Sequence, residues 1–238
     1  MLAHRGLAVG APENTLLAFA KALGAGASYL ETDVHASADG VAILSHDPDL
    51  VRLAGRRVRI DQLTAAELGR VDLGESQNYT TLAAALDAFP DARFNIDVKA
   101  AAAVAPTIAA IRDAHAERRV LVGSFSKVRR LAVIRALPGV ATSVSARDAV
   151  IATWAGALGL GAVTRWVLRS VQAVQLPERV LGVSTTSARA LAAFHSAGVE
   201  VHIWTVNDPA TMRRLLDAGV DGIVTDRADL ALEVLASR

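Results

Sequence analysis

The 238-residue chain contains no cysteine, so it forms neither disulfide bonds nor metal sites with thiolate ligands. It also lacks a hydrophobic run long enough to cross a membrane. The longest run, Ala149 to Thr164, is interrupted by three glycines and falls short of the about 20 residues that a spanning helix needs. We interpret this run as buried helix and loop, with an interfacial segment as the alternative.

Neither sign of charge dominates the chain. The formal net charge is +1, which gives no electrostatic argument for binding nucleic acid or an anionic membrane, so any attraction for phosphate must be local. No signal-peptide pattern is visible where Met1-Leu2-Ala3 leads directly into His4 and Arg5. We therefore expect a soluble cytoplasmic protein, and these features predict no particular oligomeric state.

The chain does have enough apolar sequence for one large core. Hydrophobic residues make up 52% of it, more than a disordered chain carries. Predicted strands and helices alternate along the chain, with about eight strands in all, and the length fits a barrel of βα units, which typically has about 250 residues. The prediction is a single α/β domain, a TIM (β/α)8 barrel spanning residues 1–238.

One region interrupts this alternation. Residues 48–80 are irregular, contain four arginines from Arg52 to Arg59, and include only a short helical segment near Thr64 to Leu68. We predict a short insertion after the second strand region, which forms a loop excursion over one end of the barrel. Its arginines are interpreted as a solvated loop, with attraction for an acidic headgroup as the alternative.

The most informative segment is the predicted strand from Tyr29 to His35. Side chains alternate between the faces of a strand, so Glu31, Asp33 and His35 share one face. A parallel sheet is covered on both faces, and polar side chains there need partners because unpaired buried charge is costly. A bound cation is the simplest partner, so we predict that Glu31 and Asp33 hold a metal at the mouth of the barrel.

A second predicted strand, Arg93 to Lys99, repeats this pattern with polar side chains on its inner face. Those side chains are Asn95, Asp97 and Lys99. In TIM barrels the functional residues lie at the carboxyl ends of the strands. His4-Arg5, His46-Asp47 and Trp204 also fall at or near predicted strand ends.

These residues provide three kinds of chemistry. Three carboxylates, those of Glu31, Asp33 and Asp97, form an oxygen-only set that suits Mg²⁺ or Ca²⁺. Two cations, Arg5 and Lys99, are suited to holding phosphate oxygens. Two imidazoles, those of His4 and His46, titrate near neutrality, as general acid–base catalysis requires. Together they predict cleavage of a phosphoester.

Ordered motifs run through nearly the whole chain, from residue 2 to about residue 230. The first set is His4-Arg5-Gly6, Pro12-Glu13-Asn14-Thr15, Ala18-Phe19, Glu31-Thr32-Asp33-Val34, Asp39-Gly40 and His46-Asp47. The second set is Asn95-Ile96-Asp97-Val98-Lys99, Ser124-Phe125, Trp204-Thr205-Val206-Asn207 and Gly219-Val220-Asp221-Gly222-Ile223-Val224-Thr225-Asp226. Single pieces are weak signals, but the ordered set is specific and resembles the glycerophosphodiester phosphodiesterase family.

The resemblance implies a TIM barrel that hydrolyses glycerophosphodiesters, its small-molecule substrates, to sn-glycerol 3-phosphate and an alcohol. It implies His4 and His46 as the catalytic pair and Glu31 and Asp33 as metal ligands. The third ligand in the family pattern is usually Glu, whereas the matching residue here is Asp97, which is one methylene shorter. The resemblance also leaves two routes open, attack by water or by the neighbouring glycerol hydroxyl, and we favour the hydroxyl route through a cyclic phosphate.

Several residues keep alternative interpretations. Glu31 and Asp33 form buried salt bridges with Lys99 and Arg5 if they do not bind a metal. Glu13 either starts a helix, where the helix dipole favours an acid, or orients Arg5 or the metal shell. His35 is interpreted as supporting the metal site from behind. Trp204 either lines the pocket for the alcohol or packs in the core.

Two other functions remain as alternatives. One is a phospholipase D-like enzyme acting on lysophospholipids or sphingolipids, which requires a bulky apolar lip that the sequence does not reveal. The other, from a different class, is a non-catalytic barrel that binds phosphorylated ligands, and Asp97 is the feature in its favour. The headgroup and the metal that the protein prefers are not predicted.

Overall fold

The structure of the protein is a computed structural model that describes all 238 residues. Its strands are mostly short. In chain order they are β1 Leu2–Ala3, β2 Tyr29–Ala36, β3 Ala42–Leu44, β4 Asp72–Gly74, β5 Gln77–Asn78, β6 Arg93–Val98, β7 Val120–Gly123, β8 Ala141–Thr142, β9 Ala173–Leu176, β10 Arg179–Val180, β11 Val183–Ser184, β12 Glu200–Ile203 and β13 Gly222–Thr225.

Helices follow most of the barrel strands. They are α1 Leu16–Gly24, α2 Val51–Ala54, α3 Ala65–Leu68, α4 Leu82–Ala88, α5 Val104–Asp113, α6 Lys127–Ala136, α7 Ala146–Ala157, α8 Gly161–Leu168, α9 Ala188–Ser196, α10 Pro209–Asp217 and α11 Ala228–Ala236. Many begin where the sequence supplies an N-cap, for example at Thr15, Thr81 and Asp208, whose side chains accept hydrogen bonds from the first turn. None of the helices has the length and apolar character required to cross a membrane.

Eight parallel strands form the barrel wall in the order β8-β7-β6-β2-β1-β13-β12-β9. A parallel bridge between Ser143 and Ala173 joins the two ends of this order. β3 pairs antiparallel with β2 after the predicted turn at Asp39-Gly40. The TIM-barrel prediction is therefore confirmed, with one hairpin added beside β2.

The two polar strands of the sequence are neighbours in the barrel. Glu31 of β2 lies opposite Asn95 of β6, and Asp33 lies opposite Asp97. Leu30 and Val34, on the other face of β2, are fully buried in the core against the surrounding helices. The alternation in the sequence therefore separates a packed outer face from a polar face that looks into the barrel.

Residues 48–80 contain short elements of their own. They form α2, a 3-10 helix at Ile60–Gln62, α3 and the β4-β5 hairpin. Six buried side chains make a small separate core beneath them: Ile43, Leu50, Ile60, Leu68, Val71 and Tyr79. This satellite core holds the segment against the barrel beside β3.

The interpretation of the Ala149–Thr164 run as buried was wrong in part. The run forms most of α7 and the start of α8, and Ala152 and Ala155 are buried beneath it. Ile151, Trp154 and Leu158 are nevertheless exposed. A helix packed on a barrel by one face leaves its other face in solvent, whatever the residues there are.

Candidate active site

A cavity of about 460 Å³ opens at the carboxyl ends of the barrel strands. Eight residues that the sequence indicated for catalysis, metal binding or substrate binding line it: His4, Arg5, Glu31, Asp33, His46, Asp97, Lys99 and Trp204. They come from β1, β2, β6, the β3 exit and the β12 exit, so the fold gathers residues separated by up to 200 positions. The cavity is thus one site at the end of the barrel where TIM-barrel function resides.

The His4-Arg5-Gly6 segment turns sharply where β1 ends. Arg5 and Gly6 both have positive φ, at 56° and 84°. A Cβ on Gly6 would lie 2.7 Å from the backbone carbon of Ala18 in α1, which is too close. Glycine at this position therefore lets α1 pack against the turn that carries His4 and Arg5 into the cavity.

His4 has a fixed orientation. Its Nδ1 lies 2.6 Å from Asp226 Oδ1, and Asp226 Oδ2 accepts a hydrogen bond of 2.7 Å from Asn207 Nδ2. Burial alone would lower the pKa of His4, but the hydrogen bond to Asp226 and the charge of Glu31 outweigh it, so the pKa is raised. Nδ1 is thereby committed to Asp226, and Nε2 lies 3.9 Å from Glu31 Oε2. A group with this raised pKa is suited to giving up a proton at neutral pH.

His46, which follows β3, is also oriented by a carboxylate. Its Nδ1 lies 2.7 Å from Asp47 Oδ1, and its backbone oxygen is 3.2 Å from His35 Nε2. Arg52 donates to Asp47 at 2.5 Å and to Glu13 at 2.7 Å. Burial would raise the pKa of Asp47, but the hydrogen bonds from His46 and Arg52 outweigh it and keep that pKa low.

Asp33, with 1% of its surface exposed, is the most deeply placed carboxylate of the cavity. Lys99 Nζ lies 2.8 Å from Asp33 Oδ1 and 2.7 Å from Asp97 Oδ2. Arg5 Nε lies 3.2 Å from Asp33 Oδ2 as an ion pair without hydrogen-bond geometry. Burial would raise the pKa of Asp33, but these two cations outweigh it and lower the pKa. The salt bridges that the sequence left open as an alternative are therefore present at Asp33.

Glu31 is less closely paired than Asp33, because its ion-pair partner is the imidazole of His4, whose Nε2 lies 3.9 Å away. Its Oε2 accepts a hydrogen bond of 3.1 Å from the backbone N–H of Arg5. Burial, together with the negative charges of Asp33 and Asp97, raises the pKa of Glu31 to about 8. Burial and the neighbouring carboxylates therefore disfavour ionisation of Glu31 when only protein groups surround it.

The fit of a divalent cation can be tested on these contacts. No three acidic or imidazole side chains converge as a ready cage, because Lys99 lies between Asp33 and Asp97. The donor set nevertheless consists of carboxylate oxygens only, and Asp97 Oδ1 is buried with no partner. The mutual repulsion of buried carboxylates, an unpartnered oxygen and hard ligands fit Mg²⁺ or Ca²⁺ once Lys99 moves aside.

A second wall of the cavity is apolar and adjoins the charged residues, since Lys99 Nζ lies 5.8 Å from the centroid of the Phe125 ring. Phe125 and Trp204 meet edge to face with their ring centroids 6.2 Å apart, and Leu176, Pro177 and Leu181 continue this wall. Phe125 is 58% exposed and Leu181 is 74% exposed at the rim. The sequence did not reveal this surface, because apolar residues scattered over several loops resemble ordinary core residues until the fold collects them.

Two residues that the sequence indicated as supports, Glu13 and His35, do not line the cavity. Glu13 lies before α1 and pairs with Arg5 at 3.1 Å and with Arg52. It therefore orients Arg5 and does not act as a helix-start acid. His35 contacts the backbone of His46, and burial lowers its pKa despite that contact.

Sequence reasoning assigned no role to Asp226, Asp47 or Arg52. Asp226 lies 222 positions from His4, and only the fold brings the two together. A weak signal did exist for Asp226, since it ends one of the ordered motifs. Arg52 belonged to the arginines interpreted as solvated, whereas it links Glu13 to Asp47 and so joins the supports of Arg5 and His46.

The chain is similar in sequence and in fold to proteins of one family. Residues 4–230 match the model of the glycerophosphoryl diester phosphodiesterase family. The protein named probable glycerophosphodiester phosphodiesterase 2 from Mycobacterium tuberculosis is 42% identical over 100% of this chain and 90% of its own length. The crystal structure of a glycerophosphodiester phosphodiesterase from Agrobacterium tumefaciens is 26% identical, with a TM-score of 0.78 over 99% of this chain and 98% of that chain. A phosphodiesterase from Oleispira antarctica, solved with the product sn-glycerol-3-phosphate, has the same fold, with a TM-score of 0.79 at 20% identity over 99% of this chain and 96% of its own.

Proposed function

Because the chain belongs to the glycerophosphoryl diester phosphodiesterase family, we propose that it hydrolyses glycerophosphodiesters to sn-glycerol 3-phosphate and an alcohol. The observation that carries the proposal is one cavity in which two imidazoles, each hydrogen-bonded to its own carboxylate, accompany three further carboxylates and two cations. Phosphodiester cleavage requires these functions, namely proton transfer at both ends and neutralisation of the phosphate charge.

Arg5 and Lys99 hold the phosphate in this proposal. Both side chains line the cavity and are already paired with Asp33. A phosphate that enters offers oxygens to the same donors, and Lys99 turns from Asp33 and Asp97 toward it. Glu13 keeps the guanidinium of Arg5 in place from behind.

His46 and His4 move the protons. In the first step the glycerol hydroxyl next to the phosphate attacks phosphorus and gives its proton to His46. The bond from phosphorus to the alcohol breaks, and the alcohol leaves with the proton from Nε2 of His4. In the second step water opens the cyclic phosphate with the roles reversed, so both imidazoles return to their starting protonation.

A divalent cation, Mg²⁺ or Ca²⁺, is proposed as the cofactor, with Glu31, Asp33 and Asp97 as the residues that would hold it. When bound, it supplies positive charge that polarises the phosphate. Burial and the charges of Asp33 and Asp97 raise the pKa of Glu31, and a cation beside it would favour its ionised form, which supports this assignment. Asp97 would belong to this set with a side chain one methylene shorter than that of Glu.

A panel of glycerophosphodiesters tests the proposal. The purified protein is assayed with glycerophosphocholine, glycerophosphoethanolamine and glycerophosphoglycerol in Mg²⁺ and in Ca²⁺, with detection of sn-glycerol 3-phosphate. We expect the phosphate product and the free alcohol in equal amounts, and a cyclic phosphate on rapid quenching. Ligand binding with no product from any member of the panel would instead favour a non-catalytic phosphate-binding barrel.

A second candidate function, cleavage of lysophospholipids or sphingolipids, is favoured by the apolar wall. The exposed Phe125 and Leu181 at the rim provide surface for an acyl chain that the small glycerophosphodiesters lack. Comparing kcat/KM for glycerophosphocholine with that for lysophosphatidylcholine separates the two functions. A cytoplasmic location stays a prediction from the sequence.

A further inference from the structure

The helices α7 and α8 expose an unusually apolar surface. Six of the twelve large apolar side chains exposed anywhere in the protein lie on these two helices and the turn between them. They are Ile151, Trp154, Leu158, Leu160, Val163 and Trp166, which we call the hairpin surface. Leu158 and Trp166 are each 64% exposed.

The hairpin surface is continuous. Ile151, Trp154 and Leu158 follow one another at spacings of three and four residues, so they form one stripe along α7. Leu158 and Leu160 occupy the short turn, and Val163 and Trp166 extend the stripe on α8. The opposite faces of both helices are buried in the core that they share with α9, so the exposed face is not used in folding.

Positive charge surrounds this surface. Arg147 precedes Ile151 by one helical turn, and the guanidinium of Arg169 stacks 4.8 Å from the ring of Trp166. Residues 149–199 contain four arginines, at 165, 169, 179 and 189, and a single acidic residue, Glu178. Glu178 is neutralised by Arg214 at 2.6 Å. The arginines at 147, 165, 169 and 189 therefore lie on or against α7 and α8, although the net charge of the whole chain is only +1.

We propose that the hairpin surface docks the protein on the face of an anionic lipid bilayer. Tryptophan and leucine side chains on one face of a helix, bordered by arginine, have the composition of segments that lie in the membrane interface. The apolar side chains enter the region between headgroups and acyl chains, and the arginines contact the anionic headgroups. The helices lie on the surface and do not cross it.

Charge argues against a second copy of the chain as the occupant. A two-fold dimer buries the same patch on both partners, so it would bring the arginines of one hairpin against those of the other. The hairpin surface has no acidic side chain to pair with them, because Asp148 is buried and bonded to Lys127 at 2.8 Å. An anionic bilayer, in contrast, complements the charge of the whole region.

One end of the hairpin surface lies near the cavity. Ala149 and Val150 line the cavity and lie within about one helical turn of Ile151 and Trp154. The start of the hairpin surface therefore adjoins the cavity lining, whereas Leu158 lies about 13 Å farther along α7. This inference concerns binding and holds whether or not the proposed phosphodiesterase activity is correct.

Sedimentation with vesicles tests the proposal. The intact protein is mixed with vesicles of phosphatidylcholine alone or with phosphatidylglycerol added. We expect binding only to the anionic vesicles, together with a blue shift of tryptophan fluorescence. The double variants Leu158→Ser with Leu160→Ser, and Arg165→Gln with Arg169→Gln, should each lower the partition coefficient about tenfold. The thermal unfolding midpoint should be unchanged in both variants, which shows that the fold is intact.

A matched control replaces exposed apolar residues elsewhere, as in Val9→Ser with Leu235→Ser. This variant should bind anionic vesicles like the parent protein. The proposal is overturned if the parent protein stays in the supernatant with anionic vesicles, or if neutral vesicles bind it equally. A concentration-dependent dimer that disappears in the Leu158→Ser, Leu160→Ser variant would also overturn it, because the surface would then be a protein interface.

Discussion

The two walls of the cavity differ in chemistry and in origin. The charged wall comes from residues 4–99, where every group is tied to another: His46 to Asp47, Arg5 to Glu13, and Lys99 to two carboxylates. The apolar wall comes mainly from residues 125–204 and consists of side chains that need no specific partner. Buried charge without a partner costs several kcal/mol, so the charged wall is a network in which each position constrains others. A substitution in the apolar wall disturbs few other residues, so the residues of this wall are free to differ between proteins that act on different substrates.

The largest expected effect is the loss of either imidazole from the charged wall. His4→Ala and His46→Ala should each lower kcat by about 10³-fold, because proton transfer at one end of the reaction is lost. Steady-state kinetics with a glycerophosphodiester, alongside a thermal melt, measures this. His195→Ala is the matched control, since His195 also pairs with a carboxylate, Asp221 at 2.8 Å, but outside the cavity. Near-normal rates in both cavity variants would refute their catalytic roles.

Removal of divalent cations from the parent protein should abolish most of its turnover. EDTA is expected to lower turnover by at least about 100-fold, since the charge that polarises the phosphate is lost. Adding Mg²⁺ or Ca²⁺ in excess of the chelator should restore the rate. Undiminished turnover in EDTA would show that Lys99 and Arg5 suffice without a metal.

The support of His4 should matter next. Asp226→Asn should lower kcat by about 100-fold with little change in KM, because the amide no longer holds the imidazole in its orientation and tautomer. Asp229→Asn serves as the control, because Asp229 pairs with Arg227 at 2.7 Å away from the cavity. If both variants keep the parent rate, Asp226 is a structural neighbour of His4 and nothing more.

The affinity of the charged wall for a metal should depend on pH, and that of the apolar wall for the alcohol should not. Glu31 must lose its proton to bind a cation, and its pKa is raised. The affinity for Mg²⁺ should therefore increase with pH, by about tenfold per pH unit below that pKa, and level off above it. Isothermal titration between pH 6 and pH 9 measures this trend. In Glu31→Gln the trend should flatten, whereas an affinity independent of pH in the parent protein would remove Glu31 from the ligand set.

The apolar wall should give the smallest effects. Phe125→Ala and Trp204→Ala are each expected to raise KM about fivefold with kcat nearly unchanged, because they lose contact with the alcohol and with each other. Trp166→Ala, on the hairpin surface, is the control and should leave both constants unchanged. A drop in kcat as large as that of the imidazole variants would show that the two walls are not functionally distinct.

Polar residues made the charged wall predictable from the sequence. Glu31 and Asp33 alternate with apolar residues on a strand that must be buried, and such residues stand out because their burial requires a reason. The barrel followed from the alternation of strands and helices. Both inferences depend on local spacing, which a sequence displays directly.

Features that depend on tertiary contact were not predictable. The bond between His4 and Asp226 joins the two ends of the chain, and the lip of Phe125 and Leu181 is built from separate loops. The exposed face of α7 and α8 escaped notice because an apolar run has the same appearance whether the fold buries it or not.

The most direct test of the account is to locate a cation in the charged wall. Crystals grown with Mn²⁺ and measured at its absorption edge should show one anomalous peak bound by Glu31 and Asp33, with Asp97 as a ligand directly or through one water. Lys99 should then have left its position between Asp33 and Asp97. A map with no peak, and with Lys99 still bridging those two carboxylates at the same distances, would contradict the account.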